Sequence, residues 1–426
     1  MISLAGRDHS GFAQAAESGP AGRPSAGSDL QIDEIADAVR ELDERAVVLP
    51  PGSPLGFEDT VFEPLDPALA RARVVGLGEA THGTAEFFEL KHRLFRHLVE
   101  VHGHRALGYE VNFAASLALD RYVATGEGSL DGLLGDLLFI QANEEVRALL
   151  EWLREHNRGL PDDERVRFIG IDSQLDMWNL ELHRAIFSAR FPLVYADLET
   201  RFDVLAELGK IDYRSITPGE IDRIRSVLDD MAVVVEGSTR GMGRRDVSIA
   251  AHLVEAMQRS HEFLASAYRG DNNVRDGHLA ANALWIAELL GDDVPYSVWA
   301  HNSHIGSDPS YYGDNGPGSM GYDLTRRLGR DYFRIGTAFT RGSFVALRGD
   351  WRGRDTTAPL VCRLDEDPPA DSVNAVLDRA SHERFYIRLR EIPEGTPLYR
   401  FFEGERSLLG VGDFFAGEAE PHYRSP

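Results

Sequence analysis

The sequence predicts an α/β fold with a mainly parallel central sheet flanked by helices. Apolar, strand-like runs alternate with segments of helical periodicity, and the spacing of strand, helix and strand is that of βαβ units. In addition, four of the apolar runs end on an acid, a histidine or both. Ligands of open α/β sheets bind beyond the carboxyl ends of the strands. The pattern therefore predicts an active site at that edge of the sheet.

The first predicted elements form a βαβ unit. Apolar residues recur at helical spacing over residues 30–42, which open the folded part of the chain. A strand is predicted over residues 73–78, followed by a helix over residues 84–101 with a broad apolar stripe and Thr84 as its N-cap. The strand that ends on Glu110 completes the unit. A further helix follows it, and the next predicted elements are a helix over residues 144–156 and a strand over residues 167–171.

The middle of the chain, about residues 177–290, is predicted to be a mostly helical insertion that acts as a lid over the strand ends. Helical periodicity dominates this part, and the predicted helices span residues 196–208, 218–236, 245–268 and 276–290. The sheet resumes with strands over residues 296–300 and 332–339. A glycine-rich loop over residues 305–322 lies between these strands, and a loop of that length indicates a functional segment.

Residues 30–426 are predicted to form one catalytic domain that carries this insertion. Residues 1–29 are rich in Gly, Ala, Ser and Pro, lack the basic and apolar regions of a signal peptide, and are predicted to be a disordered tail. Cys362 is the only cysteine, so an internal disulfide is impossible. This fits a reducing compartment, and we expect a cytoplasmic protein.

Composition excludes several classes of function. The formal net charge of −24 argues against binding to nucleic acid or to an anionic membrane. No apolar run approaches the ~18 residues that a membrane-spanning helix needs. The sequence also lacks a Gly-x-Ser-x-Gly nucleophile elbow, a P-loop and a complete dinucleotide fingerprint. We therefore expect a small-molecule partner; the oligomeric state is not predicted.

Glu79 and His82 stand three residues apart at a predicted strand-to-helix turn. A carboxylate beside an imidazole orients a general base and keeps its proton affinity near neutral pH. The same pair also occurs as a helix-capping glutamate and a structural histidine. Lys91 follows on the apolar stripe of the helix, where a cation must either extend to the surface or meet a carboxylate. Glu79 and Glu110, at the ends of neighbouring strands, are its predicted partners.

His301 and His304 follow the strand over residues 296–300 and are again three residues apart. Together with Glu79, His82, Glu110 and Asp172, they would suit a zinc or manganese site. They would equally serve metal-free acid and base catalysis, and the residues leave both readings open. Arg275, Asp276 and Asn282 begin a predicted helix that aims back at the same edge of the sheet.

These residues together resemble the erythromycin esterase family. The resemblance runs from about residue 74 to residue 344, and its motifs are Gly78-Glu79-Ala80-Thr81-His82-Gly83-Thr84, Glu110, Gly170-Ile171-Asp172, Arg275-Asp276 with Asn282, Ala300-His301-Asn302-x-His304, Gly321-Tyr322-x-Leu324 and Tyr332-x-Arg334-Ile335-Gly336. It implies a hydrolase without metal or cofactor that opens a macrolide lactone by adding water. It also implies that His82 is the general base and that Glu79, Lys91 and His301 are needed.

The full predicted site adds Glu110 to this catalytic set, and His304, Asp172, Arg275 and Asn282 as substrate-binding residues. In the predicted mechanism His82, oriented by Glu79, takes a proton from water. His301 or Lys91 then stabilises the oxyanion or protonates the leaving oxygen. Two features depart from the family: Lys91 stands where macrolide-resistance members have arginine, and the part from about residue 350 resembles the family poorly.

Substrate and reaction are therefore open to alternatives. One is a biosynthetic enzyme of the same fold that transfers an acyl or other group, or that cleaves a non-macrolide ester or amide. Another is a metal-dependent hydrolase that uses the same carboxylates and histidines. The third is an inactive protein that binds a small molecule, although so many ionisable groups at strand ends favour an enzyme.

Overall fold

The computed structural model describes residues 2–4, 32–135, 137, 141–174, 176–177, 179–211, 213–267, 274–309, 318–348, 355–404, 406–411, 414–415 and 423–424. The helices in this part of the chain are α1 (Ile32–Arg45), α2 (Asp66–Leu69), α3 (Ala85–His102), α4 (Phe113–Thr125), α5 (Leu130–Gly135), α6 (Glu144–His156), α7 (Leu180–Arg190), α8 (Pro192–Leu208), α9 (Pro218–Gly237), α10 (Arg244–Ala267), α11 (Val274–Leu290), α12 (Asn302–Ile305), α13 (Met320–Leu328), α14 (Val373–Asp378) and α15 (Pro397–Glu403). The strands are β1 (Ile2–Leu4), β2 (Val47–Val48), β3 (Val74–Glu79), β4 (Ala106–Asn112), β5 (Arg167–Asp172), β6 (Tyr296–His301), β7 (Tyr332–Ile335), β8 (Thr337–Ala338), β9 (Gly342–Arg348), β10 (Asp355–Leu364), β11 (Arg384–Tyr386), β12 (Leu408–Leu409), β13 (Phe414–Phe415) and β14 (Tyr423–Arg424).

The centre of the fold is a five-stranded sheet in the order β5-β4-β6-β3-β7. All of its neighbouring strands are parallel. The predicted α/β class is therefore confirmed. The predicted strand over residues 332–339 is divided in the structure at Gly336. Its first part, β7, joins this sheet, whereas its second part, β8, joins a four-stranded sheet with β1, β2 and β11.

Helices cover both faces of the central sheet. One face packs with α3 and α6 into a core that includes Leu77, Phe95 and Leu150. The other face packs with α10, α11 and α13 into a second core. A smaller third core joins α1, α14 and α15 to β11. Because both faces are covered, β3 to β6 are buried along their whole length, which is why they read as near-continuous apolar runs.

The predicted insertion is helical in the part of residues 177–290 that the structure describes, with α8 to α11 close to their predicted bounds and α7 as an additional helix. Its apolar side chains share one core with a face of the sheet, so these helices form a layer of the fold. Closure over the strand ends stays a prediction. The predicted tail lies almost wholly outside the described residues, although Ile2–Leu4 form β1. The glycine-rich loop is likewise outside them at residues 310–317.

Strand order places a crevice at the middle of the sheet. β6 lies between β3 and β4, although it follows both by more than 180 residues. The chain leaves β3 towards the α3 face, whereas it leaves β6 towards the α13 face. Connections that depart to opposite faces leave an opening at the carboxyl ends of adjacent strands. Glu79 and His301, which are paired in register, lie at this opening.

No described helix is both long enough and apolar enough to cross a lipid bilayer.

Candidate active site

The turn after β3 presents Glu79 and His82 on the same side. Glu79 Oε1 accepts a hydrogen bond from His82 Nδ1 at 3.0 Å, and Glu79 is 2% exposed. Thr84 occupies the N-cap position of α3 as predicted, but its side chain makes no capping hydrogen bond. Its hydroxyl instead lies 2.5 Å from the hydroxyl of Thr81 and so closes the turn on itself. The turn therefore fixes the ring of His82 relative to Glu79.

Gly83 allows another strand to pack directly on this turn. The amide of Val345 in β9 donates to the carbonyl of Gly83 at 2.7 Å. A Cβ atom at Gly83 would lie 1.6 Å from the Val345 carbonyl oxygen, so only glycine fits at this close approach. On the other side, the amide of Val411 donates to the carbonyl of Ala80 at 2.7 Å. The C-terminal part of the chain thus supports the turn that carries His82.

Lys91 lies one and a half turns into α3 and faces the end of β3. Its ammonium group contacts Glu79 Oε2, which confirms the prediction that this lysine is paired with a strand-end carboxylate. The side chain is 2% exposed, and Nζ lies 3.9 Å from the centre of the Trp299 ring. Burial lowers the pKa of Lys91 well below its usual value, while the negative charge of Glu110 opposes that shift.

Glu110 joins the groups of several elements. Its Oε1 accepts from Arg275 Nη2 at 2.8 Å, and its Oε2 accepts from the backbone amide of His301 at 2.9 Å. Burial alone would raise the pKa of this carboxyl group, but His304, Arg275 and the backbone amide of His301 hold it well below its usual range. Glu110 is therefore a fixed negative charge between β4, β6 and α11.

Arg275, at the start of α11, connects this carboxylate to the end of β5. Its Nη2 donates to Asp172 Oδ2 at 2.7 Å, and its Nε lies 3.2 Å from Asp172 Oδ1. The fork-like guanidinium matches two oxygens of one carboxylate. The side chain of Arg275 keeps 13% of its surface exposed, more than Glu110 or Asp172. It is therefore a cation at the open side of the cluster.

His301 has both ring nitrogens bound within the protein. Nδ1 accepts from the backbone amide of Ser303 at 3.2 Å, and Nε2 faces the carbonyl oxygen of Ala80 at 3.3 Å. This pattern requires the neutral ring with its proton on Nε2. Burial lowers the pKa of His301 well below its usual value, and the neighbouring imidazoles of His82 and His304 add to the effect. Its ring lies 5.2 Å from that of His82, centre to centre.

His304 is oriented by Asp276, whose carboxylate oxygens lie 2.9 and 3.0 Å from Nδ1. On the other side, Nε2 lies 2.9 Å from Arg275 Nη1 and 3.4 Å from Glu110 Oε1. The neutral ring accepts from Arg275, whereas the protonated ring would donate to Glu110. Burial opposes protonation, but the carboxylates of Asp276 and Glu110 raise the pKa of His304 above its usual value.

The structure brings most of the predicted site residues together, as the preceding contacts show. Asn282 is the exception, since its amide nitrogen donates to the Ile171 carbonyl at 2.7 Å and its oxygen accepts from Arg259. Asn282 is 1% exposed, and we interpret it as a link between α11 and β5. Asp276, which stands beside Arg275 at the start of the predicted helix but has no predicted role, is the residue that orients His304.

Sequence reasoning also missed the aromatic lining of the site. A small cavity opens beside the catalytic candidates. The residues that line it are Glu79, His82, Phe88, Tyr109, Glu110, Gln141 and Trp299. Tyr109 precedes Glu110 by one position, and Trp299 precedes His301 by two. Their places beside the polar strand ends are the signal that the sequence supplies, because side chains alternate between the two faces along a strand.

The ligand atoms of Glu79, His82 and Glu110 lie within 4.8 Å of one another, a spacing that a metal ion could use. However, the second oxygen of Glu79 already contacts the ammonium group of Lys91. Here the cation beside Glu79 belongs to the chain itself.

A family model and a known relative both match this chain to erythromycin esterases. The family model described as erythromycin esterase matches residues 99–425. The match includes the part after residue 350, where little resemblance was expected. Erythromycin esterase type II from Escherichia coli is 26% identical over 364 residues, which cover 78% of this chain and 84% of that protein.

Two solved structures share the fold. A Bacillus cereus protein has a TM-score of 0.76 and 24% identity, with 91% of this chain and 93% of that chain covered. A mutant erythromycin esterase, EreC, in its open conformation has a TM-score of 0.60 and 20% identity, with 79% of this chain and 86% of that chain covered.

Proposed function

Because this chain belongs to the erythromycin esterase family, which indicates a hydrolase, we propose that it adds water to a lactone or other ester bond of a macrolide-like natural product. The observation that carries the proposal is the hydrogen bond of 3.0 Å between Glu79 and His82 at the carboxyl end of β3. His82 is also the most exposed histidine of the cluster. Its side chain is 11% exposed, whereas the residues His301 and His304 are 8% and 5% exposed.

His82 acts as the general base in this proposal. Glu79 accepts a hydrogen bond from the Nδ1–H group of His82. Nε2 is therefore the basic nitrogen that takes a proton from the attacking water. The carboxylate also stabilises the imidazolium that forms at this step. The water oxygen bonds to the ester carbonyl carbon, and the proton on His82 then passes to the leaving alkoxide oxygen. The product carries one added water, and the enzyme returns to its initial protonation state.

We assign stabilisation of the oxyanion to Arg275, in place of His301 or Lys91. Lys91 is 2% exposed and in contact with Glu79, so it acts on the reaction through that carboxylate. His301 has both nitrogens bound to Ser303 and Ala80, so it holds the turn that carries His82. Arg275 is the more exposed cation, and its partner Glu110 lies within 4.8 Å of His82.

The same contacts support a mechanism without a metal ion. A metal ion bound by Glu79, His82 and Glu110 would have to share Glu79 with the Lys91 side chain, which already contacts one of its carboxylate oxygens. We therefore propose that water is activated by His82 alone.

The test is mass spectrometry of a panel of macrolide lactones incubated with chelator-treated enzyme. We expect a product heavier by one water with the wild type, and a rate at least ~10²-fold lower with His82→Gln. His382→Gln, which changes a histidine outside the cluster, is the matched control. Full turnover by His82→Gln would overturn the role of His82. Loss of wild-type activity on chelation, while the protein stays folded and without recovery when the separate site at the end of α3 is refilled, would overturn the metal-free mechanism.

The panel also separates the remaining alternatives. Transfer of a group from a second substrate would identify a biosynthetic transferase on the same fold. Hydrolysis of simple esters or amides, but not of macrolides, would keep the chemistry and change the substrate class. Binding without turnover would identify a protein that has kept the fold and lost catalysis.

A further inference from the structure

A second cluster of histidines and acids lies at the opposite end of α3 from Lys91. His97 and His102 belong to the last turns of α3, and Asp66 begins α2. Since α3 follows β3 and runs antiparallel to it, this cluster lies at the amino ends of the strands, away from the candidate active site. One ring nitrogen from each histidine and one carboxylate oxygen of Asp66 lie within 4.8 Å of one another.

The contacts of Asp66 converge on one oxygen atom. His97 Nε2 and His102 Nε2 each lie 2.7 Å from Asp66 Oδ1. The two imidazole rings lie 5.4 Å apart, centre to centre, in an edge-to-face arrangement. The two Nε2 atoms therefore point at the same small region of space, as ligands around a shared ion do.

His97 is held between two carboxylates. Its Nδ1 lies 2.7 Å from Asp59 Oδ1, while its Nε2 faces Asp66. A neutral imidazole has one donor and one acceptor nitrogen, so one carboxylate would face a lone pair. The contact is favourable only if the ring carries a second proton or if a cation lies between Nε2 and the carboxylate. Asp59 is also held by Arg93 Nη2 at 2.9 Å, which favours Asp59 as the acceptor of the Nδ1 proton.

We propose that Asp66, His97 and His102 form a zinc-binding site that is separate from the candidate active site. Two imidazoles and one carboxylate form a ligand set that zinc accepts, with a fourth position for water. Zinc–ligand distances of about 2.0–2.2 Å would place the ligand atoms about 3.3 Å apart. The contacts of 2.7 Å would therefore widen by about 0.6 Å, which side-chain rotation can supply.

The surroundings match those of metal sites in proteins. A metal-bound histidine usually donates its other ring N–H to a carboxylate, which fixes the ring and raises its affinity for the ion. Asp59 has this position relative to His97. The side chains of His97 and His102 are 1% and 8% exposed, whereas that of Asp66 is 29% exposed, so an ion can enter from the Asp66 side.

The site would tie the segment before β3 to the end of α3. Because α3 also carries Lys91, zinc at this position would stabilise the helix that positions the Lys91–Glu79 pair. The expected role is structural, and its readout is metal affinity and thermal stability.

The experiment titrates full-length, chelator-stripped protein with zinc in the presence of a competing chromophoric chelator. We expect one zinc ion per chain, and a thermal midpoint that rises with zinc. His102→Gln should lower the affinity by more than ~100-fold, and Asp59→Asn should lower it by about 10–100-fold. His82→Gln is the matched control and should leave the zinc affinity and the rise of the thermal midpoint with zinc unchanged, which separates this site from Glu79, His82 and Glu110.

Absence of stoichiometric zinc binding would overturn the proposal. Binding that survives His102→Gln, or binding that is lost with His82→Gln, would overturn it as well. If His102→Gln does not fold, the affinity of Asp59→Asn tests the proposal in its place. The visible spectrum of the cobalt-substituted wild type tests it as well, because tetrahedral cobalt absorbs much more strongly than octahedral cobalt. None of these outcomes depends on turnover of an ester.

Discussion

The ammonium group of Lys91 lies 3.9 Å from the centre of the Trp299 ring. The same group contacts Glu79, so one buried cation is held between a carboxylate and an aromatic face. β3, β6 and α3 each contribute one member of this trio. The trio therefore couples the packing of the sheet to the orientation of the proposed general base.

Lys91→Met should lower both stability and activity. Removal of one partner of a buried ion pair leaves the other charge unpaired, at a cost of about 3–5 kcal/mol in the free energy of unfolding. We expect a loss of kcat at little change in KM, because Lys91 acts through Glu79. Urea unfolding and steady-state kinetics measure the two effects.

The chain supplies a matched control for this variant. Lys210 is the other lysine of the sequence, and its side chain is 69% exposed on a surface pair with Glu207. Lys210→Met should change stability by less than ~1 kcal/mol. Similar losses of stability in both variants would show that the Lys91–Glu79 pair contributes no more than a surface pair. The double variant Glu79→Gln with Lys91→Met should recover part of the stability that Lys91→Met loses.

Asp276→Asn should lower the pH at which His304 is protonated. Asp276 and Glu110 raise the pKa of His304, so the stability that the protonated ring contributes is present below pH 6.5 and is lost as pH rises through the raised pKa. NMR titration of the imidazole resonances measures the shift. Asp323→Asn, at a carboxylate of α13 outside the cluster, should leave the titration unchanged; an unchanged titration in Asp276→Asn would contradict the assigned cause.

Gly83→Ala should destabilise the protein by several kcal/mol or prevent folding, because its Cβ would collide with the Val345 carbonyl oxygen. Gly219→Ala is the contrasting variant. Gly219 lies in α9 with no atom within 4 Å of an added Cβ, so alanine should stabilise this helix by about 0.5–1 kcal/mol. Thermal unfolding compares them, and equal midpoints would argue against the close approach at Gly83.

Acid should destabilise the fold through His104. Burial lowers the pKa of His104 from 6.5 to about 3, and its Nδ1 lies 2.9 Å from Ser297 Oγ. The unfolded chain binds a proton below pH 6.5 that the folded chain does not bind until about pH 3, so stability falls over this window by ~1.4 kcal/mol per pH unit. His104→Gln should flatten the pH dependence measured by urea unfolding. His382→Gln should keep the wild-type slope.

The sequence was sufficient to predict the class of fold and the edge of the sheet at which the candidate residues gather. The strand-end positions of Glu79, Glu110 and Asp172 follow from local patterns, and the pairing of Lys91 follows from its place on an apolar stripe. These inferences needed only periodicity and the cost of a buried charge.

The remaining features depend on contacts between distant segments. Asp276 orients His304 only because α11 packs beside the end of β6, and the strand order that causes this was not predictable from spacing. The roles of His301 and Arg275 likewise depend on which nitrogens are bound inside the protein. The support of the Glu79–His82 turn by residues 345 and 411 has no local signal at all.

The position of β6 has a consequence for synthesis of the protein. A ribosome must add nearly 300 residues before the strand that separates β3 from β4 exists. Until then, the edges of β3 and β4 that face β6 have no partner, and an early pairing of β3 with β4 would exclude β6. The nascent chain therefore needs either chaperone protection of these edges or delayed sheet formation, and slow folding with a tendency to aggregate is the expected result when the chain is overexpressed.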